Sequence, residues 1–236
     1  MENKKEELTA DEFFSNGGII NHSQIVEKIP YDFAIYGLQR GEIGVLYGQG
    51  AVGKGYFLKH FFSNNHNLMF EKPIKVLYIS LEDDYTSITN KYDNLEICHQ
   101  VVDFGFSLKT EKYWGNYDLV IIDTWSRFLA GRYEENSNKE MSLAYEEIIS
   151  KAKKYNCAVL VVAHTNKGGR NQENESSIND LRGASVLSDN ARLAISIEKI
   201  DDDIVKVKTA KINRKAIKEQ GFIRGENGDL IIRREL

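Results

Sequence analysis

This is the sequence of an α/β domain: a mostly parallel central sheet with helices on both faces and antiparallel strands at the C-terminal edge. Three observations lead there. From Glu42 onward, short β-branched runs alternate with amphipathic stretches. The runs are almost continuously apolar, as expected of strands buried on both faces of a parallel sheet. Near the C-terminus the pattern changes to strict alternation followed by a hairpin signal.

The predicted strands are Ile43–Tyr47, Lys75–Ser80, Ile97–Asp103, Leu119–Asp123, Val159–Ala163 and Leu193–Ile197. Tyr56–Phe62 and Met141–Lys154 carry helical spacing. Strand, helix and strand in succession imply right-handed crossovers and a wound sheet. Ile204–Ile212 alternates, and Glu226-Asn227-Gly228-Asp229 separates two apolar runs within Gly221–Arg234. Asn-Gly in that setting predicts a β-hairpin that extends one edge of the sheet. Residues 1–30 read as a polar arm with a short helix near His22–Ile29, capped by Asn21, and residues 31–236 as the core. The apolar pairs Phe13-Phe14 and Ile19-Ile20 give the arm something to pack on a neighbour.

The bulk numbers set limits. A chain of 236 residues with 42% hydrophobic and 28% charged residues suits one large packed domain. Cys98 and Cys157 sit in apolar runs and read as buried thiols, which fits a reducing, cytoplasmic setting. No apolar stretch approaches the roughly 20 residues that span a bilayer, so no membrane association is expected. A net charge of -4 is not that of a protein that coats nucleic acid. Any such contact must be local, or come from several subunits together.

The clearest chemical signal is Gly48-Gln49-Gly50-Ala51-Val52-Gly53-Lys54, which follows a predicted strand and precedes a predicted helix. Glycines let successive N–H groups turn inward, and the helix N-terminus adds positive potential, so the segment is a phosphate-binding P-loop. Lys54 reaches β- and γ-phosphates, and Gly55 and Tyr56 complete the nucleotide-binding stretch. The residue after the lysine is normally Ser or Thr, whose hydroxyl joins the Mg²⁺ shell. Here it is Gly55. Either water fills that position and ATP is hydrolysed, or the domain binds nucleotide and turns it over slowly.

Three further strands end in polar residues at the edge where ligands gather in open α/β sheets. Asp118-Leu-Val-Ile-Ile-Asp123 offers Asp123 to a Mg²⁺ ion through water. Val76-Leu-Tyr-Ile-Ser80-Leu-Glu82-Asp83 offers Glu82, ahead of Asp83, to polarise an attacking water. Val159-Leu-Val-Val-Ala-His164 offers His164 to the γ-phosphate.

In order, these segments resemble the RepA-type plasmid replicative helicases, within the RecA-like and DnaB-like ring ATPases. The resemblance runs from about Tyr31 to Arg214. It rests on Gly37-Leu-Gln-Arg-Gly41, the phosphate loop, Ser80-Leu-Glu82-Asp83, Ile121-Ile-Asp123-Thr-Trp125-Ser-Arg127-Phe, Ala163-His164-Thr-Asn-Lys167, Leu181-Arg182-Gly183-Ala-Ser185 and Asp189-Asn-Ala-Arg192. It implies a RecA-like P-loop fold and ATP hydrolysis with Mg²⁺ at the subunit interfaces of a hexameric ring. It implies Lys54 on the phosphates, Glu82 as catalytic carboxylate, Asp123 at the metal and His164 as γ-phosphate sensor. Arg192 matches the arginine finger given to the next subunit, with Arg182 as rival, and Lys211 with Asn213 resembles a late strand motif on the same side.

The resemblance also implies single-stranded DNA in the ring and other replication proteins as partners. Two loops are placed to touch DNA: one after Asp123 with Arg127, Arg132 and Lys139, and one from Lys167 through Arg170 to Asp180. Both also carry acids, Glu134, Glu135, Glu173 and Glu175, which makes each a weak phosphate funnel. The leading expectation is thus an ATP-driven helicase of a plasmid or other mobile element. A nucleotide-binding regulator with impaired hydrolysis is the alternative, and a recombinase filament calls for more basic loops.

Overall fold

The structure, a computed structural model, describes residues 33–35, 37–63, 74–83, 98–103, 113–165, 178, 181, 185–201, 204–212, 220–224 and 230–233. The N-terminal arm, Lys167, Arg170, Arg182 and Asn213 lie outside the described residues.

In chain order the elements are β1 (Phe33–Ile35), β2 (Leu38–Gln39), β3 (Ile43–Gly48), α1 (Lys54–Ser63), β4 (Val76–Ser80), β5 (Cys98–Asp103), β6 (Leu119–Asp123), α2 (Trp125–Leu129), α3 (Asn138–Lys154), β7 (Ala158–His164), α4 (Val186–Asn190), β8 (Leu193–Asp201), β9 (Ile204–Ile212), β10 (Gln220–Arg224) and β11 (Leu230–Arg233). β1 and β2 form a small antiparallel ribbon. Nine strands form one sheet in the order β11-β10-β9-β8-β3-β7-β6-β4-β5. β8, β3, β7, β6, β4 and β5 run parallel, and β9, β10 and β11 extend the sheet antiparallel beyond β8. This is the predicted fold class, with the predicted hairpin at the predicted edge.

The apolar runs are buried on both faces because neighbouring residues of one strand feed two cores. Leu46, Tyr78, Ile121 and Leu160 meet Phe57 and Leu58 of α1 on one face. Val45, Tyr47, Ile79, Ile122 and Val161 meet Met141, Ala144 and Ile148 of α3 on the other. α3 starts three residues earlier than the apolar periodicity indicates, because Ser137 caps it: its Oγ accepts a hydrogen bond from the Glu140 N–H at 3.3 Å. Lys151, Lys153 and Lys154 in the last turn complement the helix dipole.

Two elements depart from expectation. The segment after Asp123, expected to be an open loop, begins with the helix α2. Trp125, Phe128 and Leu129 are buried there, with the Trp125 and Phe128 rings stacked 5.1 Å apart, and this apolar anchoring winds the chain. β8 continues past Ile197 to Asp201 because Glu198 and Lys199 still pair with Lys206 and Val205 of β9, although the apolar run has ended. Cys157 is a buried free thiol, as expected, and burial raises its pKa to about 12.

Candidate nucleotide-binding site

Because β3, β4, β6 and β7 are parallel and adjacent in the order β3-β7-β6-β4, their C-terminal ends meet at one edge. The phosphate loop leaves β3 there, and Glu82, Asp123 and His164 arrive from the other three strands. They line a cleft of about 450 Å³ together with Ala51, Gly53, Lys54, Gly55, Tyr56, Asp83 and Thr124. Four widely separated candidates of the sequence, Lys54, Glu82, Asp123 and His164, therefore face one space.

The loop's glycines have distinct reasons. A Cβ on Gly48 would collide with the backbone carbonyl of Ile197 on β8. Gly53 takes a φ of 109°, which a side chain rarely tolerates. Ala51 adopts a φ of 60° despite its methyl group. Such a left-handed residue costs about 1–2 kcal/mol.

Lys54 opens α1 and is only 6% exposed. Its Nζ donates to the carbonyls of Gly48 at 3.1 Å and Gln49 at 2.8 Å. It also lies 3.1 Å from His164 Nδ1. An ammonium has donors only, so Nδ1 accepts and a neutral His164 carries its proton on Nε2. That nitrogen lies 3.8 Å from Glu82 Oε1. Burial lowers the Lys54 pKa to about 8, against the opposing pull of Asp123 and Glu82. The lysine is thus still charged at neutral pH and sits on weak carbonyl partners.

Two residues with only faint sequence signals also belong to this site. Thr124 Oγ1 donates to Glu82 Oε1 at 2.8 Å and lies 3.2 Å from Ser126 Oγ. The Tyr78 hydroxyl donates to Asp123 Oδ2. The signals are that Thr124 directly follows the acidic strand end, and that Tyr78 is a polar-tipped residue in a buried aliphatic strand, where its O–H needs a partner.

The described lining carries three carboxylates, Glu82, Asp83 and Asp123, against Lys54 and one histidine. A bound triphosphate would add several negative charges, so this pocket needs cations from outside the chain's own lining. No group of three or more potential metal ligands exists among the described residues, which argues against an all-protein metal cage. The donor set does suit Mg²⁺, which takes one or two carboxylates and completes its shell with water and phosphate oxygens. Asp123, with Glu82 nearby, would hold it; Gly55 offers no side-chain oxygen.

The other candidates lie elsewhere. The Arg192 N–H bonds the Ile43 carbonyl at 2.9 Å, at the start of β3. That is the opposite edge of the sheet, about 17 Å from the phosphate loop at 3.3 Å per strand residue, beyond one arginine's reach. Arg192 is exposed and makes no ion pair with Asp189 or any other described residue. Lys211 Nζ donates to the carbonyls of Ser188 at 2.8 Å and Asp189 at 2.7 Å, so it caps the end of α4 instead of facing the cleft. Arg127 is exposed on α2. Arg132 is held 2.6 Å from Glu147 and over the rings of Phe128 and Tyr133. Lys139 lies exposed in the first turn of α3.

Comparisons with known proteins bear on the fold. Residues 107–170, which include β6, β7, Asp123 and His164, match the family model described as AAA domain. One solved structure, described as an ATPase domain, is similar over 81% of this chain and 84% of its own, with a TM-score of 0.64 and 15% identity. Another, "The Structure Of A DnaB-Like Replicative Helicase And Its Interactions With Primase", is similar over 96% of this chain and 67% of its own, with a TM-score of 0.66 and 14% identity. The curated proteins contain no match. No helix among the described residues is long and apolar enough to cross a membrane. The chain shares the RecA-like fold of these two structures.

Proposed function

We propose that this chain is the motor subunit of a replicative DNA helicase that hydrolyses ATP in a hexameric ring around single-stranded DNA. The observation that carries the reading is the split between two edges of one sheet. The cleft at one edge is poor in cations, and Arg192, without an ion pair among the described residues, stands at the other. Each cleft becomes electrostatically complete when a neighbouring copy presents its Arg192, which favours assembly of copies head to tail.

In this reading Lys54 exchanges its carbonyl partners for the β- and γ-phosphates. Glu82 orients the attacking water and accepts its proton, with Thr124 fixing the carboxylate. His164 loses Lys54 and gains the γ-phosphate, so the loop that follows it senses the nucleotide. Asp123 would hold Mg²⁺, which would supply Lewis-acid charge neutralisation when bound. Arg127, Lys167 and Arg170 are the DNA-facing candidates, with replication proteins of a plasmid or other mobile element as further partners.

One observation favours a second reading: Gly55 leaves the metal without the usual hydroxyl. A nucleotide-binding regulator would bind ATP and assemble without turnover. Steady-state hydrolysis with and without single-stranded DNA decides between them, with mass in solution measured alongside. Stimulated turnover by a ring supports the motor. Tight ATP binding and no turnover under Mg²⁺ and DNA would sink it.

A further inference from the structure

Tyr78 lies in β4, 2% exposed, level with Ile121 of β6. Strand periodicity then puts Asp123, two residues on, on the same face as Tyr78. The phenol hydroxyl crosses that step and donates to Asp123 Oδ2. Packing alone would be served by phenylalanine; the hydroxyl is an added feature. Tyr78 does not line the cleft, so it has no direct contact with a nucleotide there.

We infer that Tyr78 is a positioning residue for the metal-side aspartate, and that it offsets the missing hydroxyl at Gly55. The inference rests on the nucleotide reading of the cleft. An O–H···O⁻ bond fixes one carboxylate oxygen and so restricts rotation of the group, which lines the cleft. Partners of this kind, one step behind a metal-binding group, commonly govern metal affinity by about 10–100-fold. Here the demand is greater than usual. Gly55 supplies no side-chain oxygen, so holding the metal would fall chiefly on Asp123, with Glu82 nearby. Without the Tyr78 hydroxyl, Asp123 Oδ2 loses a donor that helps hold the carboxylate's orientation.

The test uses the full chain and a fluorescent ATP analogue, titrated in EDTA and then with Mg²⁺ at fixed analogue. Tyr78→Phe should leave affinity in EDTA within about twofold and raise the Mg²⁺ midpoint roughly 10–100-fold. Adding Gly55→Ser to Tyr78→Phe should bring the midpoint back toward the parent. In an Asp123→Ala background, Tyr78→Phe should have no further effect on it, because the acceptor of its hydrogen bond is gone. An unchanged Mg²⁺ midpoint in Tyr78→Phe overturns the assignment. So does an equal loss of affinity in EDTA and Mg²⁺, which would mean Tyr78 acts through packing. A parent protein that binds no analogue at all overturns the nucleotide reading itself, a separate and recognisable failure.

Discussion

The two edges of the parallel sheet carry the same residue types but treat them differently. At the C-terminal edge every catalytic candidate has a partner within the chain. Lys54 holds loop carbonyls and His164, Glu82 accepts from Thr124, and Asp123 accepts from Tyr78. At the N-terminal edge the chain ties down what it needs for folding. Arg40 bonds Asp118 at 2.6 Å, and Lys211 caps α4. Arg192, beside them, is exposed and makes no ion pair among the described residues. In the proposed ring, a neighbour's Arg192 would supply the cation of which the cleft's lining is short. An exposed arginine contributes little in water but much when desolvated against phosphate.

The strongest way to break this contrast is to remove Arg192. Arg192→Ala should lower kcat by about 10³-fold or more while ATP affinity stays near the parent's. Mixing it with Lys54→Ala, also inactive, should restore activity, since mixed neighbours form some complete sites. No recovery on mixing would mean that Arg192 does not serve a neighbouring site. Within the cleft, Glu82→Gln should cost about 10²- to 10⁴-fold in kcat with nucleotide binding retained, measured by single-turnover hydrolysis.

The next effect is a pH dependence. With its pKa lowered to about 8, Lys54 sheds its proton in the empty site as pH rises through 8. Bound phosphates hold that proton, so binding takes one up and weakens with rising pH. Affinity for ATP should be flat below pH 8 and fall by up to about tenfold per pH unit above it, until the bound lysine also titrates. The same depression works on folding in the opposite sense. Between about 8 and 10.5 the unfolded chain holds more protons at this site, so its contribution to stability rises with pH. An ATP titration series from about pH 7 to about 9.5 on parent and Lys54→Arg checks the binding arm, since arginine stays charged throughout.

Smaller effects sharpen the picture. Gly55→Ser should raise hydrolysis and lower its Mg²⁺ requirement several-fold if the missing hydroxyl limits turnover, and change nothing if water substitutes for it. Arg132→Ala should cost only about 1 kcal/mol of stability by thermal unfolding, because its ion pair with Glu147 is partly exposed, although it also covers Phe128 and Tyr133. If Arg132 is also a DNA contact, its loss will weaken single-stranded DNA binding as much as Arg127→Ala does.

Much of this is legible in the chain. Strands buried on two faces write themselves as unbroken apolar runs, so Ile43, Leu119 and Ile204 begin strands where the pattern begins. Glu82, Asp123 and His164 are legible because each ends such a run. The short helices α2 and α4 are not, since five residues are too few for a 3.6-residue period to declare itself. Tyr78 reads as core, because nothing in Val76–Ser80 says which strand lies alongside.

Element order, the parallel core with its antiparallel edge, and the phosphate loop with Lys54 and the hydroxyl-free Gly55 all follow from the order of residues along the chain. These are local properties: hydrophobic period, glycine placement and the succession of strand and helix. Which side chains share a space follows only from how the strands assemble. Strand order set His164 between the loop and Glu82, register brought the Tyr78 hydroxyl to Asp123, and strand direction sent Arg192 to the far edge. Those facts depend on contacts between segments distant in the chain, which no single run of residues encodes.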